Sequence, residues 1–168
     1  DNYGKVWIAT EGGGLNHLDP LTGAIDWHMH SGSDYNNIKA LKYDAHRRCL
    51  WVGTHLGGLK KYNPTTGEYT VFPLGNDKAN IVCDIEMYDQ NTLLLATHDG
   101  IYRFDIPSGA FSPLFRTGSE GHVISLALDI VLDHARTLWI GGAEGGLYSY
   151  NFNTRRMKLY RHDDALPH

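Results

Sequence analysis

The chain has 168 residues, with 15 Lys and Arg set against 19 Asp and Glu, enough for one well-cored domain and short for two. Nearly balanced charge leaves no electrostatic footprint for nucleic acid or an anionic membrane surface. No run approaches the roughly 20 apolar residues of a membrane span, and Asp1-Asn2-Tyr3-Gly4-Lys5 does not have the pattern of a signal peptide.

Four segments repeat along the chain, headed by Val6-Trp7-Ile8, Leu50-Trp51-Val52, Leu93-Leu94-Leu95 and Leu138-Trp139-Ile140. Trp7 and Trp51 are 44 residues apart, Leu94 follows after 43 and Trp139 after 45. Periods of this length belong to propeller blades or helical arrays. Apolar and polar residues alternate at period two within each unit, with no stripe at 3.6, which selects blades.

The first unit, residues 1–36, opens inside its first hairpin turn at Asp1 to Lys5, so its first strand is expected to be absent. The second, residues 37–80, reads as strands Ile38 to Tyr43, Cys49 to Thr54, Leu59 to Tyr62 and Tyr69 to Phe72. Between them lie Asp44-Ala45-His46-Arg47-Arg48, Leu56-Gly57-Gly58 and Asn63-Pro64-Thr65-Thr66-Gly67, all turn chemistry. The third unit, residues 81–121, starts at Ile81 to Ile85 and ends at Ala110 to Phe115. The fourth, residues 122–168, starts near Val123 to Leu128, with Asp129 to Leu132 extending that strand, and ends at Met157 to Tyr160.

Four short antiparallel strands per repeat make a blade. The expected fold is therefore all-β, a β-propeller segment of about four blades. Asp163 to His168 reads as a loop into a further blade, so a fragment of a larger propeller is expected, with a self-contained four-bladed ring as the alternative. The Trp or Leu heading each second strand is expected to pack between blades. The small residues after it, Ala9, Gly53, Ala96 and Gly141, allow close approach.

Candidate chemistry is sparse. His55 and His98 follow Thr54 and Thr97 at equivalent places, where Glu11 and Ala143 stand in the other units. Metal binding would need three or four converging ligands, which spacing alone does not supply. His28 and His30 alternate along an outer strand and read as solvated. The hairpin acids Asp1, Asp44, Asp89 and Asp133 suit turns, because a carboxylate there bonds nearby backbone N–H groups. Gly12-Gly13-Gly14 is followed by no helix and is a turn, not a phosphate cradle. Cys49 and Cys83 have no CxxC spacing and read as small buried hydrophobes, their bridging left open.

A binding face is the better expectation. The loops between blades and those between second and third strands share one face of a propeller. They carry Glu11, Tyr35, Asn37, His55, Asn80, His98, Asp99, His122 and Glu144 as candidate ligand-binding residues. Aromatic rings beside amides, carboxylates and imidazoles suit sugars, since rings stack on C–H faces and amides bond hydroxyls.

The run Leu50-Trp51-Val52-Gly53-Thr54, then Gly57-Gly58-Leu59 and Tyr62-Asn63-Pro64 with Thr66-Gly67, resembles the two-component regulator propeller repeat. It recurs more weakly over Val6 to Gly23, Leu93 to Gly109 and Leu138 to Arg155, and Leu166-Pro167-His168 resembles the loop opening the next repeat. Leu94 departs from the usual Trp, and the third unit lacks one Gly. The resemblance implies part of a seven-bladed propeller in the periplasmic half of a hybrid two-component sensor. Such sensors detect oligosaccharides and signal across the membrane to a histidine kinase.

The resemblance thus implies a non-catalytic segment with no cofactor and no catalytic or metal residues. Its partners would be an oligosaccharide and the remaining blades of the parent, with no nucleic acid or membrane contact and with homodimerisation open. Two other classes stay in view: a propeller lyase or lactonase with a metal or His/Glu site at the hub, and a protein-binding scaffold. Fold alone does not choose among them.

Overall fold

A computed structural model describes residues 1–10, 12–29, 37–116, 124, 126–143 and 146–161. Within them the chain is all-β. A three-stranded antiparallel sheet contains β1 (Val6–Thr10), β2 (Gly14–Leu18) and β3 (Ile25–Met29). A second sheet holds β4 (Ile38–Asp44), β5 (Cys49–Thr54), β6 (Leu59–Tyr62) and β7 (Tyr69–Phe72) in that order. The third runs β8 (Val82–Asp89), β9 (Thr92–Thr97), β10 (Gly100–Asp105), β11 (Ala110–Arg116). The fourth runs β12 (Ala127–Leu132), β13 (Thr137–Gly142), β14 (Gly146–Asn151), β15 (Arg156–Tyr160). Each sheet is an up-and-down meander, the blade the repeat predicts. None of the described residues forms a helix long and apolar enough to cross a membrane.

The strands of the second blade fall where the alternation puts them, with β4 reaching one residue further, to Asp44. Among the described residues the first sheet has three strands. Two starts differ. β8 begins at Val82 and runs on to Asp89, next to the turn at residues 90–91 that leads into β9. β12 begins at Ala127, with a bulge between Ala127 and Asp129 that lets Asp129 to Leu132 pair with Leu138 to Gly141.

The chain divides into two compact units, Asp1–Ile85 and Glu86–His168. In the first, Leu15, Ile38, Leu50, Val52 and Tyr62 form a buried cluster, with Trp7, Ala9, Leu41 and Tyr43 packed against it. Blades 1 and 2 therefore meet face to face, and Trp7 sits between them as expected for the head of a second strand. Gly53 has no room for a side chain, since a Cβ there would lie 2.8 Å from the Val82 carbonyl oxygen. Gly141 has ordinary space around it, so close approach is not what selects it. In the second unit Leu93, Leu94, Leu95, Ile101, Phe104, Leu138 and Ile140 are buried.

The hairpin acids tie the first turn to the second strand. The Asp44 carboxylate accepts the Arg47 backbone N–H at 2.9 Å and the Trp51 indole N–H at 3.3 Å. Asp133 repeats this with Thr137 N–H at 2.8 Å and Trp139 Nε1 at 3.0 Å. In blade 1 the Asp1 carboxylate accepts the Tyr3 and Lys5 N–H groups, while its other oxygen meets His17 Nε2 at 2.9 Å. Trp7 Nε1 is there buried with no hydrogen-bond partner among the described residues. The signal for the tether was present in the sequence, as an Asp six or seven residues before each Trp.

Candidate functional site

The hairpins joining second to third strands are built on one device. The hydroxyl of the last threonine donates to the carbonyl of the glycine that opens the next strand. Thr54 reaches Gly58 at 2.8 Å, Thr97 reaches Gly100 at 2.9 Å, and Thr10 reaches Gly14 at 3.3 Å. These three glycines take positive φ, which a turn closing this tightly requires. The device fixes where the residues between threonine and glycine emerge, and those are the candidates His55, His98 and Asp99.

Asp99 anchors a polar cluster at this edge of blade 3. Its Oδ2 accepts the Tyr102 hydroxyl at 2.5 Å and Arg116 Nε at 3.1 Å, with the second Arg116 guanidinium nitrogen also at 3.1 Å. Arg116 is half-exposed and Tyr102 is buried, so the carboxylate joins an inner phenol to a cation at the surface. His98 is the neighbouring hairpin residue.

In blade 2 the candidates Asn37 and Asn80 serve the backbone. The His55 N–H donates to the Asn37 carbonyl at 2.9 Å, and the Gly58 N–H to the Asn80 carbonyl at 3.0 Å. The Asn80 side-chain oxygen also accepts the Leu74 N–H at 2.7 Å. The loops before β4 and β8 are thus laced to the β5–β6 hairpin, bringing Asn37, His55 and Asn80 to one end of the blade. Glu11, Tyr35, His122 and Glu144 lie outside the described residues.

His28 is a correction to the expected solvated strand. Its Nδ1 lies 2.9 Å from the Tyr62 hydroxyl, its ring meets the Trp7 ring edge-on at 4.8 Å, and Trp7 stacks on His17 at 4.0 Å. Alternation along β3 places His28 on the same face as Asp26, His17 and Trp7, and that face packs on blade 2 instead of facing solvent. Burial lowers the pKa of both imidazoles, with Lys5 adding to the effect at His17 and His17 itself adding at His28. His30 lies outside the described residues. Cys49 and Cys83 are unbridged, and burial raises both thiols, Cys49 to about 11. Among the described residues no group of three or more His, Cys, Asp or Glu is poised for a metal.

One feature escaped the sequence reading. On the outer part of blade 2 a cleft of about 450 Å³ is lined by Leu56, Lys60, Tyr69, Val71, Pro73 and Asn80. Lys60 is only 3% exposed, with Nζ 5.0 Å from the centre of the Tyr69 ring. The pair Lys60-Lys61 reads in sequence as two solvated strand residues, and only the sheet register separates them. Lys60 pairs with Val52 and Val71 on the face that carries the core, whereas Lys61 pairs with Trp51 on the other.

Sheets of this kind, joined by hairpins and repeating at one length, define the chain as an array of propeller blades. The same fold is found in the extracellular domain of a B. thetaiotaomicron protein described as a hybrid two-component system, BT3049. The two align with a TM-score of 0.76 and 24% identity, over 96% of this chain and 24% of that one. The extracellular domain of BT4673 from the same organism, described as a one-component or hybrid two-component system, aligns with a TM-score of 0.67 and 16% identity. That alignment covers 94% of this chain and 28% or 27% of those chains. The chain thus spans about a quarter of the length of these structures. No family model matches it, and no curated protein sequence does.

Proposed function

We propose that the chain is a non-catalytic, ligand-sensing propeller segment on the periplasmic side of a hybrid two-component regulator of the two-component regulator propeller family. It recognises an oligosaccharide and passes the signal to a histidine kinase elsewhere in the parent. The observation that carries the proposal is the fold shared over 96% of the chain with the extracellular domain of a protein described as such a system. The Asp99, Tyr102 and Arg116 cluster and the end of blade 2 with Asn37, His55 and Asn80 offer donors and acceptors of the kind sugar hydroxyls use. Signalling requires that the ligand bind one arrangement of the parent more tightly than another.

The remaining blades of the parent are the natural partners of two exposed apolar faces. Val6, Ile25 and Trp27 lie on one face of blade 1, with Trp27 70% exposed. Val131, Trp139 and Leu147 lie on one face of blade 4. Closed propellers cover such faces with further blades.

Calorimetry on the complete extracellular domain with a broad panel of oligosaccharides is expected to find one ligand of micromolar affinity. Silence across the panel would overturn the saccharide assignment. Stoichiometric metal lost on changing His55 and His98 would favour an enzyme instead.

A further inference from the structure

In each blade the residue that heads the repeat faces one residue on the next strand. The pairs are Trp7 with His17, Trp51 with Lys61, Leu94 with Arg103 and Trp139 with Ser149. In blades 1 and 2 the facing residue packs on the indole. His17 stacks on Trp7 at 4.0 Å, and Lys61 Nζ lies 5.9 Å from the centre of the Trp51 ring. Blade 3 has Leu94 at that place and offers no indole. Arg103 lies instead over the Tyr88 ring of its own blade at 5.4 Å and over the Phe152 ring of blade 4 at 5.3 Å. Those two rings are themselves in contact, 4.7 Å apart, across the seam between the blades.

The hairpin acid departs in the same blade. Asp1 reaches His17, while Asp44 and Asp133 reach the Trp51 and Trp139 indoles. Asp89 is exposed and accepts the Asn91 N–H of its own turn. Arg103 is half-buried, and its Nε is enclosed with no hydrogen-bond partner. Its guanidinium makes no ion pair or hydrogen bond with the described residues. A guanidinium has five N–H donors. The two rings hold this one by its π face and leave the donors uncommitted.

A second guanidinium lies on the same tyrosine. Arg136, in the turn between β12 and β13, sits 4.4 Å from the Tyr88 ring centre and donates from one terminal nitrogen to the Tyr88 carbonyl at 2.8 Å. Its own carbonyl accepts the Phe152 N–H at 3.0 Å, which fixes the Arg136 and Phe152 turns to each other. The acids in the neighbouring turns serve their own backbone, Asp105 with Ser108 and Asp133 with Thr137. Like charges that share one ring repel, and a bound anion removes that repulsion.

We infer that this edge of the seam between blades 3 and 4 binds a tetrahedral oxoanion, a sulfate or phosphate group, through Arg103 and Arg136. Forked guanidinium donors match such oxygens. Donors arriving from two blades suit four oxygens disposed in space better than the two coplanar oxygens of a carboxylate. Occupation ties blade 3 to blade 4. The site is separate from the saccharide proposal and does not rest on it.

The test is arginine modification by phenylglyoxal on the complete extracellular domain, mapped by peptide mass spectrometry. Sulfate, phosphate and acetate are the probes, with chloride holding the ionic strength constant. Sulfate or phosphate is expected to slow modification of Arg103 and Arg136 about fivefold or more, and to saturate. The exposed Arg155 and Arg156 should react at an unchanged rate. Protection by one anion and not the other names the group. Arg103→Met should abolish the protection of Arg136, and Arg136→Gln that of Arg103, in variants whose far-ultraviolet spectra show the fold intact. The inference is overturned by no protection with either anion, by equal slowing at Arg155 and Arg156, by equal protection with acetate, or by unchanged protection in both folded variants.

Discussion

Blades 2 and 3 have the same four-stranded meander and the same threonine-to-glycine hairpin lock, but they fill their frames differently. Blade 2 heads its second strand with Trp51, tethered through its indole to Asp44, and leaves an open cleft over Lys60. Blade 3 heads it with Leu94, has no indole to tether, and closes the equivalent cleft with Asp99, Tyr102 and Arg116. The frame is thus carried by glycines and by alternation, which repeat, whereas the polar contents sit at positions that vary between repeats. The fold and the polar contents of the frame are encoded in different residues of one repeat.

The largest test of the comparison is truncation at the head of the second strand. Trp51 and Leu94 are both fully buried. Trp51→Ala should cost about 3–5 kcal/mol and Leu94→Ala about 2–5 kcal/mol, read from denaturant midpoints. Trp51→Ala also strips a donor from the buried Asp44 carboxylate, so it should be the more damaging. A Trp51→Ala protein of near wild-type stability would mean that the indole tether contributes nothing to the blade.

The hairpin glycines come next. A Cβ on Gly100 would lie 2.1 Å from the Phe115 carbonyl oxygen, at φ 117°. On Gly58 the nearest backbone atom would be 2.8 Å away, at φ 70°. Backbone must move in blade 3, so Gly100→Ala should cost about 3 kcal/mol or more, and Gly58→Ala about 1–2 kcal/mol. The reverse order in thermal melts would break the structural equivalence of the two turns.

The Asp44 tether gives a pH signature. Burial alone would raise this carboxyl, but the Arg47 N–H, the Trp51 indole and the Arg47 guanidinium outweigh it and hold the pKa below its ordinary value of 3.8. A depressed folded pKa contributes stability that is fully present above the unfolded value and is lost as pH falls through the folded one. Asp44→Asn should therefore cost about 1.5–3 kcal/mol at neutral pH. The gap to wild type should narrow as pH falls below about 4, measured by urea denaturation at stepped pH. A gap independent of pH would assign the effect to packing instead of charge.

The strands were largely legible because alternation and turn residues act locally. Cys49–Thr54, Leu59–Tyr62 and Tyr69–Phe72 need only neighbours in sequence to specify them. The start of β12 was not, since the bulge at Ala127 depends on its partner strand. Site chemistry was less legible still. Asn80 reads as a ligand-contact candidate in sequence, which gives no sign that its side-chain oxygen and its carbonyl also accept the Leu74 and Gly58 N–H groups. Arg116 meets Asp99 across 17 residues of chain, and Lys60 differs from Lys61 only by which face the register gives it. Such pairings exist only once strands have found each other.

The smallest expected effect probes the comparison most directly. Asp99→Ala removes the carboxylate held between the Tyr102 hydroxyl and the Arg116 guanidinium in blade 3. Arg116 is half-exposed, so the lost ion pair should cost about 1 kcal/mol or less. Tyr102 and Arg116 would then face a space the size of a carboxylate, and an added small carboxylate should bind there and stabilise the folded state by mass action. Acetate should raise the melting temperature of the Asp99→Ala variant relative to chloride at the same ionic strength. Wild type, whose site already holds its own carboxylate, should show no such difference. An equal response in both proteins would show that the cluster is a surface ion pair and not a seat for a carboxylate.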